Sequence, residues 1–255
     1  MRIAVLQFAP DYLNPEANRS ALRALLADAD ADLIVVPELC SSGYFFRSPE
    51  DLASVAERIP EGPTTQMLHE YAADTGTTIV AGLAECDGDA FYNSAVVVPP
   101  HGPTTTYRKV HLFYKENRLF EPGDLGFPVV EATTRDGTTY RLGVMVCFDW
   151  YFPEAARTLA LKGADVIAHP SNLVLPHCPD AMPVRARENH VFTATANRYG
   201  SETHDGETLT FIGMSEICGP TGDILARADR TGDALPTVSV DPADARNRAI
   251  NPYND

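Results

Sequence analysis

With 255 residues, 44% of them hydrophobic and 22% charged, the chain is long enough to bury a substantial core, and no Gly/Ser linker or charge block divides it. One α/β domain spanning 1–255 is therefore expected. Lys and Arg number 20 against 35 Asp and Glu, and the resulting net charge of -15 repels phosphate backbones and anionic membrane surfaces, which excludes nucleic acid as an expected partner.

The chain runs directly into the strand-like Ile3 to Phe8, with no charged leader, and no apolar stretch approaches membrane-spanning length. Pro15 to Ala27 carries apolar residues at helical spacing, and Asp32 to Val36 reads as a buried strand. A helix over Thr64 to Asp74 follows a proline and stops before Gly76; strands follow at Thr77 to Ala81, Ala90 to Val98 and Thr104 to Arg108. The last two are joined by the hairpin-like Pro99 to Pro103. Further strands are expected at Tyr140 to Val146, Asp165 to Ala168, Phe192 to Asn197, Leu209 to Cys218 and Thr237 to Val240, with helices at Glu154 to Lys162 and Met182 to His190. Pro220 to Asp223 is a second hairpin-like turn. The mixture implies helices covering mixed sheets; GxGxxG, P-loop and solenoid repeats are all missing from the sequence. Five scattered cysteines, Cys40, Cys86, Cys147, Cys178 and Cys218, form no CxxC pair and point to reduced thiols in a cytoplasm.

Cys147 stands between the apolar run Arg141 to Val146 and the helix signal Pro153-Glu154, in a strand-to-helix turn that exposes a nucleophile on rigid backbone. A buried core cysteine fits the local sequence equally well. A free thiol is only a few per cent thiolate near neutral pH, so a nucleophile here needs a base. Two residues qualify. His169, at the end of the following strand, would make a Cys-His peptidase, although a strand-end histidine is more often structural. Glu38 directly follows the apolar strand Asp32 to Val36, at the strand end where open α/β sheets collect ligands, and burial there would tune it as base and acid. Lys109 follows Thr104 to Arg108 in the same way, and Glu116 lies seven residues on; spacing alone leaves both open as surface residues.

The blocks VVPELCSSGYFF around Glu38, YRKVHLFYKENRLFEPG around Lys109 and Glu116, and GVMVCFDWYFPEAARTLALKGADVIAHPSN around Cys147 resemble the three signature blocks of the nitrilase superfamily, the carbon-nitrogen hydrolases, in the same order. The likeness runs from IAVLQFAP to FIGMSEICGPTGDIL and is greatest to the small single-domain nitrilase and aliphatic-amidase branch with archaeal members. The resemblance implies a four-layer α-β-β-α sandwich, two mixed sheets flanked by helices, paired into homodimers. It assigns Cys147 as nucleophile, Glu38 as general base and acid, Lys109 with the Phe148 N–H as oxyanion donors, and Glu116 as a second acid orienting Lys109 or the substrate, with no metal or organic cofactor.

The substrate implied is a small amide or nitrile. Phe148-Asp149 stands where nitrile-specific members carry Trp-Glu, which favours amides, and Asp149 is also placed to cap a helix. Tyr44, Phe45, Tyr114 and Trp150, neighbours of catalytic residues, are expected to wall a narrow apolar pocket for short aliphatic acyl groups. Arg47 or Arg187 would serve an ω-amidase by binding a substrate carboxylate, although Arg187 lies in a segment that looks structural. An acyl transferase and a non-catalytic binding member are further readings. The ending Asn251 to Asp255 is shorter than relatives with a tail at the dimer interface, and this leaves the assembly open.

Overall fold

The fold is taken from a computed structural model that describes residues 1–247, 249 and 253; the C-terminal expectation made for 251–255 lies, apart from Tyr253, outside the described residues. The first half of the chain runs β1 (Arg2–Val5), α1 (Pro15–Leu26), β2 (Leu33–Val35), α2 (Pro49–Ala53), α3 (Pro63–Thr75), β3 (Thr78–Asp87), β4 (Ala90–Val98) and β5 (Thr105–Arg108). The second runs β6 (Val129–Thr133), β7 (Thr139–Val144), α4 (Pro153–Leu161), β8 (Val166–Ser171), α5 (Cys178–Asn189), β9 (Phe192–Asn197), β10 (Tyr199–His204), β11 (Glu207–Ile212), β12 (Glu216–Cys218), β13 (Ile224–Arg227) and β14 (Thr237–Ser239).

These strands form two mixed sheets of six, ordered β14-β1-β2-β3-β4-β5 and β13-β12-β9-β8-β7-β6, with β10 and β11 as a separate hairpin. Each sheet has three parallel strands, β1 to β3 in one and β7 to β9 in the other, flanked by antiparallel neighbours. Parallel strands buried on both faces need apolar residues throughout, which explains the unbroken Leu33–Val35 and Val166–Ala168. Alternation then sorts the faces. Ile3, Val5, Leu33, Val35 and Val80 join Leu142, Val144 and Val166 between the sheets, while Ala4, Leu6, Ile34 and Ile79 pack with Leu22, Leu26, Leu68 and Ala72 of α1 and α3. Ala155, Leu159, Met182 and Ala186 of α4 and α5 cover the far side of the second sheet, which completes the α-β-β-α sandwich.

Three local departures have physical reasons. The expected strand Leu209 to Cys218 is two strands in different sheets, because Gly213 and Met214 adopt φ of +61° and +59° and turn the chain between them. Helix α5 begins at Cys178, four residues before the expected Met182, despite Pro179 in its first turn and Pro183 in its interior. Pro179 sits in the first turn, where no N–H is needed, and Pro183 frees the Pro179 carbonyl, which accepts from Arg227 Nη2 at 2.9 Å. The strands β6, β10 and β13 and the short α2 are brief and lie mostly at the surface, with only Ala132, Glu202 and Leu52 among them buried, so no burial pattern announces them.

Candidate active site

Glu38, Lys109 and Cys147 follow β2, β5 and β7 respectively, so each is delivered by the end of a strand whose backbone the sheet already fixes. Two glycines bring the first two close to their neighbours. A Cβ on Gly82 of β3 would lie 2.4 Å from Glu38 Cα, and one on Gly123 would lie 1.9 Å from the Arg108 carbonyl oxygen; Gly123 N donates to the Lys109 carbonyl at 2.9 Å. Larger residues would push either segment out of place.

Glu38, Lys109 and Glu116 form one buried charge cluster. Lys109 Nζ donates to Glu38 Oε1 at 2.7 Å and to Glu116 Oε1 at 2.8 Å, with both the Lys109 and Glu38 side chains fully buried. Asn93 Nδ2 donates to the same Glu38 oxygen at 2.7 Å, and Tyr44 Oη donates to Glu116 Oε1 at 2.6 Å. Glu38 Oε2, in contrast, is buried without any hydrogen-bond partner. Burial raises the Glu38 carboxyl above the ordinary carboxylate range, more than the neighbouring ammonium lowers it. For Lys109 burial pulls the other way, yet the Glu116 and Glu38 carboxylates outweigh it and hold the ammonium protonated.

Cys147 opens a 3-10 turn over Cys147–Tyr151 with φ of +41°, a left-handed conformation that a non-glycine residue holds only when its surroundings impose it. Asp149 imposes it. Its Oδ2 accepts from Val146 N at 2.8 Å and Tyr107 Oη at 2.7 Å, and its Oδ1 accepts from His111 Nδ1 at 2.7 Å and His111 N at 3.2 Å. Asp149 is wholly buried and turned away from the cavity, so it caps the turn that carries Cys147. The Cys147 thiol is raised well above its ordinary value by burial first and then by the Glu38 carboxylate, so the resting group is a thiol. His169 Nε2 lies 2.9 Å from the Cys147 carbonyl oxygen, to which it must donate, and Nδ1 lies 3.0 Å from Thr195 Oγ1. Burial lowers its pKa to about 4, and the neutral ring holds the backbone of Cys147.

The cavity at Cys147 is walled by Phe113, Phe148, Trp150, Leu173, Val174 and Leu175, together with Asn172. Every side chain but those of Asn172 and the cysteine is apolar or aromatic.

The chain matches the carbon-nitrogen hydrolase family over residues 2–249. It is a member of that family. Over its whole length it is 50% identical to a protein named nitrilase from Pyrococcus abyssi, covering 95% of that protein. It is 36% identical to an (R)-stereoselective amidase from a Pseudomonas species, with 90% of this chain and 81% of the relative aligned. Among solved structures it superposes with a TM-score of 0.79 on a Nesterenkonia amidase mutant whose active-site cysteine carries the acetamide moiety of fluoroacetamide, at 28% identity over 98% of this chain and 94% of the other. The sequence resemblance to the nitrilase superfamily and the expected sandwich both hold.

Within this carbon-nitrogen hydrolase the aromatic residues expected around the substrate divide. Trp150 walls the cavity beside Cys147. Tyr44 and Phe45 are buried behind Glu116, held by backbone N–H bonds to Glu202 at 3.2 and 2.6 Å from β10. Tyr114 departs from the expectation. Its φ of +53° turns the ring outward, where it is 51% exposed and its hydroxyl donates to Glu207, and Phe113 takes the place on the wall. Arg47 is clamped by Asp51 at 2.7 and 3.0 Å and borders an outer cleft of about 250 Å³, while Arg187 donates to the Thr221 carbonyl at 2.7 Å; neither walls the cysteine cavity. Sequence reading missed Asn93 and Asn172. Asn93 lies mid-strand with no local signal, whereas Asn172 directly follows β8 much as Glu38, Lys109 and Cys147 follow their strands, and that signal was available.

Proposed function

We propose that the protein hydrolyses small primary amides to a carboxylic acid and ammonia through a thioester on Cys147. The observation that carries this reading is the buried Lys109 bridging Glu38 and Glu116, with one Glu38 oxygen left without a partner and a protonated thiol coupled to that carboxylate. Glu38 takes the thiol proton as Sγ attacks the amide carbon. Lys109 and the Phe148 N–H, at a 3-10 position with no acceptor one turn back, hold the oxyanion; such a preorganised donor is worth about 3 kcal/mol. Collapse breaks the carbon-nitrogen bond as Glu38 returns the proton to nitrogen. Ammonia leaves, and Glu38 then deprotonates the water that cleaves the thioester. Glu116, bonded to both Lys109 and Tyr44, fixes the ammonium in place.

The apolar wall and the engagement of Arg47 and Arg187 elsewhere support a neutral aliphatic acyl group over an ω-amide with a carboxylate tail. A nitrile would pass through a thioimidate, and the name of the Pyrococcus relative favours that second reading. The amide preference inferred from Phe148-Asp149 is weakened, because Asp149 is buried in hydrogen bonds and its side chain takes no part in the cavity wall. Ammonia release from matched amides, nitriles, ω-amides and carbamoyl compounds separates these. The highest kcat/KM is expected on unbranched aliphatic amides; release from nitriles alone would overturn the amidase reading.

A further inference from the structure

We propose that Asn172 is a specificity-determining residue, its side-chain oxygen accepting an N–H of the nitrogen that leaves as ammonia; the assignment rests on the amidase reading above. Asn172 is 2% exposed, immediately after β8, in the wall of the Cys147 cavity. Its Nδ2 donates to the Glu38 backbone carbonyl at 2.9 Å, a contact only the nitrogen end of the side chain can make, because a carbonyl has no proton to give. That bond fixes which way the amide faces and leaves Oδ1 on the opposite branch, buried and with no hydrogen-bond partner. A buried carbonyl oxygen without a donor is a standing cost, and a bound molecule bringing an N–H removes it. The loop is rigid enough to keep the group in place: Leu173 N donates to Asn197 Oδ1 at 2.8 Å.

A primary carboxamide presents one carbonyl oxygen and two N–H donors. The oxygen goes to Lys109 and the Phe148 amide. That leaves two N–H groups to meet Glu38 Oε2 and Asn172 Oδ1, two of the buried oxygens that lack a partner. As the tetrahedral intermediate collapses, the nitrogen gains a proton and positive charge, so the contact with Oδ1 strengthens towards the transition state and acts on kcat as well as on binding. An ester leaving group brings no N–H, nor does a nitrile before attack, and each leaves Oδ1 unsatisfied; discrimination of this kind is large because the penalty falls on a buried polar group. The ligand class is therefore the unsubstituted carboxamide.

The test compares one acyl group delivered as its primary amide and as its p-nitrophenyl ester, in wild type, Asn172→Ala, Asn172→Leu and Asn93→Ala. Both substrates need Cys147, Glu38 and Lys109, but only the amide has a nitrogen to seat. In both Asn172 variants kcat/KM for the amide is expected to fall about 10- to 100-fold relative to the ester. Asn93→Ala, which removes a support of Glu38 from outside the cavity wall, is expected to lower both substrates together. The amide-to-ester ratio does not depend on how much of a variant folds. A ratio unchanged from wild type in both Asn172 variants overturns the assignment and makes Asn172 a positioning residue for Glu38. A wild type that releases no ammonia from any amide overturns the amidase reading itself.

Discussion

Two buried acids stand on either side of Cys147 and are held in opposite ways. Asp149 accepts hydrogen bonds on both oxygens, from Val146 and Tyr107 on one and from His111 on the other. Glu38 concentrates its partners, Lys109 and Asn93, on Oε1 and leaves Oε2 with none. A fully satisfied carboxyl has nothing further to offer a substrate, so it serves the fold; a half-satisfied one, raised by burial, is free to exchange a proton. The same contrast separates His169, whose ring nitrogens both face fixed partners, from Asn172, whose oxygen faces none.

The comparison breaks most sharply at the nucleophile. Cys147→Ala is expected to lower turnover by on the order of 10⁴-fold or more while the thermal midpoint stays close to wild type; retained ammonia release would remove the thiol from the chemistry. Asp149→Asn should behave inversely. Replacing an acceptor that serves four donors with an amide that puts an NH₂ against two of them is expected to cost about 2–4 kcal/mol in denaturant unfolding, and an unchanged midpoint would show that the turn does not depend on this carboxyl.

A pH series sharpens the contrast further. His169 has a folded pKa of about 4 against an ordinary 6.5, so the unfolded chain takes up the proton first as pH falls. Its contribution is intact above about 6.5 and is lost progressively between 6.5 and 4, by about 3 kcal/mol. His169→Gln should flatten that part of the stability curve. Activity, in turn, is expected to fall on the acid side as Glu38 protonates, with the limb above the ordinary carboxylate value. The smallest effect is reserved for Tyr44→Phe, which removes one bond to Glu116 and is expected to reduce kcat about tenfold with KM little altered; equal changes in both would place Tyr44 in substrate binding instead.

Glu38 and Cys147 were legible as candidates because each lies just beyond an apolar strand, whereas Lys109, after the polar Thr105–Arg108, stood out only through the resemblance to the nitrilase superfamily. Residues whose role depends on which strands meet were not legible. Asn93 reaches Glu38 only because β4 pairs with β3, two strands from β2. Tyr114 shows the limit of arguing from adjacency: it neighbours a catalytic block, yet one positive φ sends its ring outward and gives the wall to Phe113. The first turn of α5 hid behind Pro179 and Pro183 because the arginine that donates to the freed carbonyl, Arg227, lies 48 residues away.

In the proposed mechanism Glu38 is the proton-transfer group and His169 is not. That assignment is tested most directly by steady-state ammonia release from one good amide substrate in Glu38→Gln and His169→Gln measured side by side. The account requires Glu38→Gln to lose on the order of 10⁴-fold in kcat/KM while His169→Gln keeps activity within about tenfold of wild type. Abolished activity in His169→Gln with near-normal turnover in Glu38→Gln would contradict it and restore the Cys-His reading.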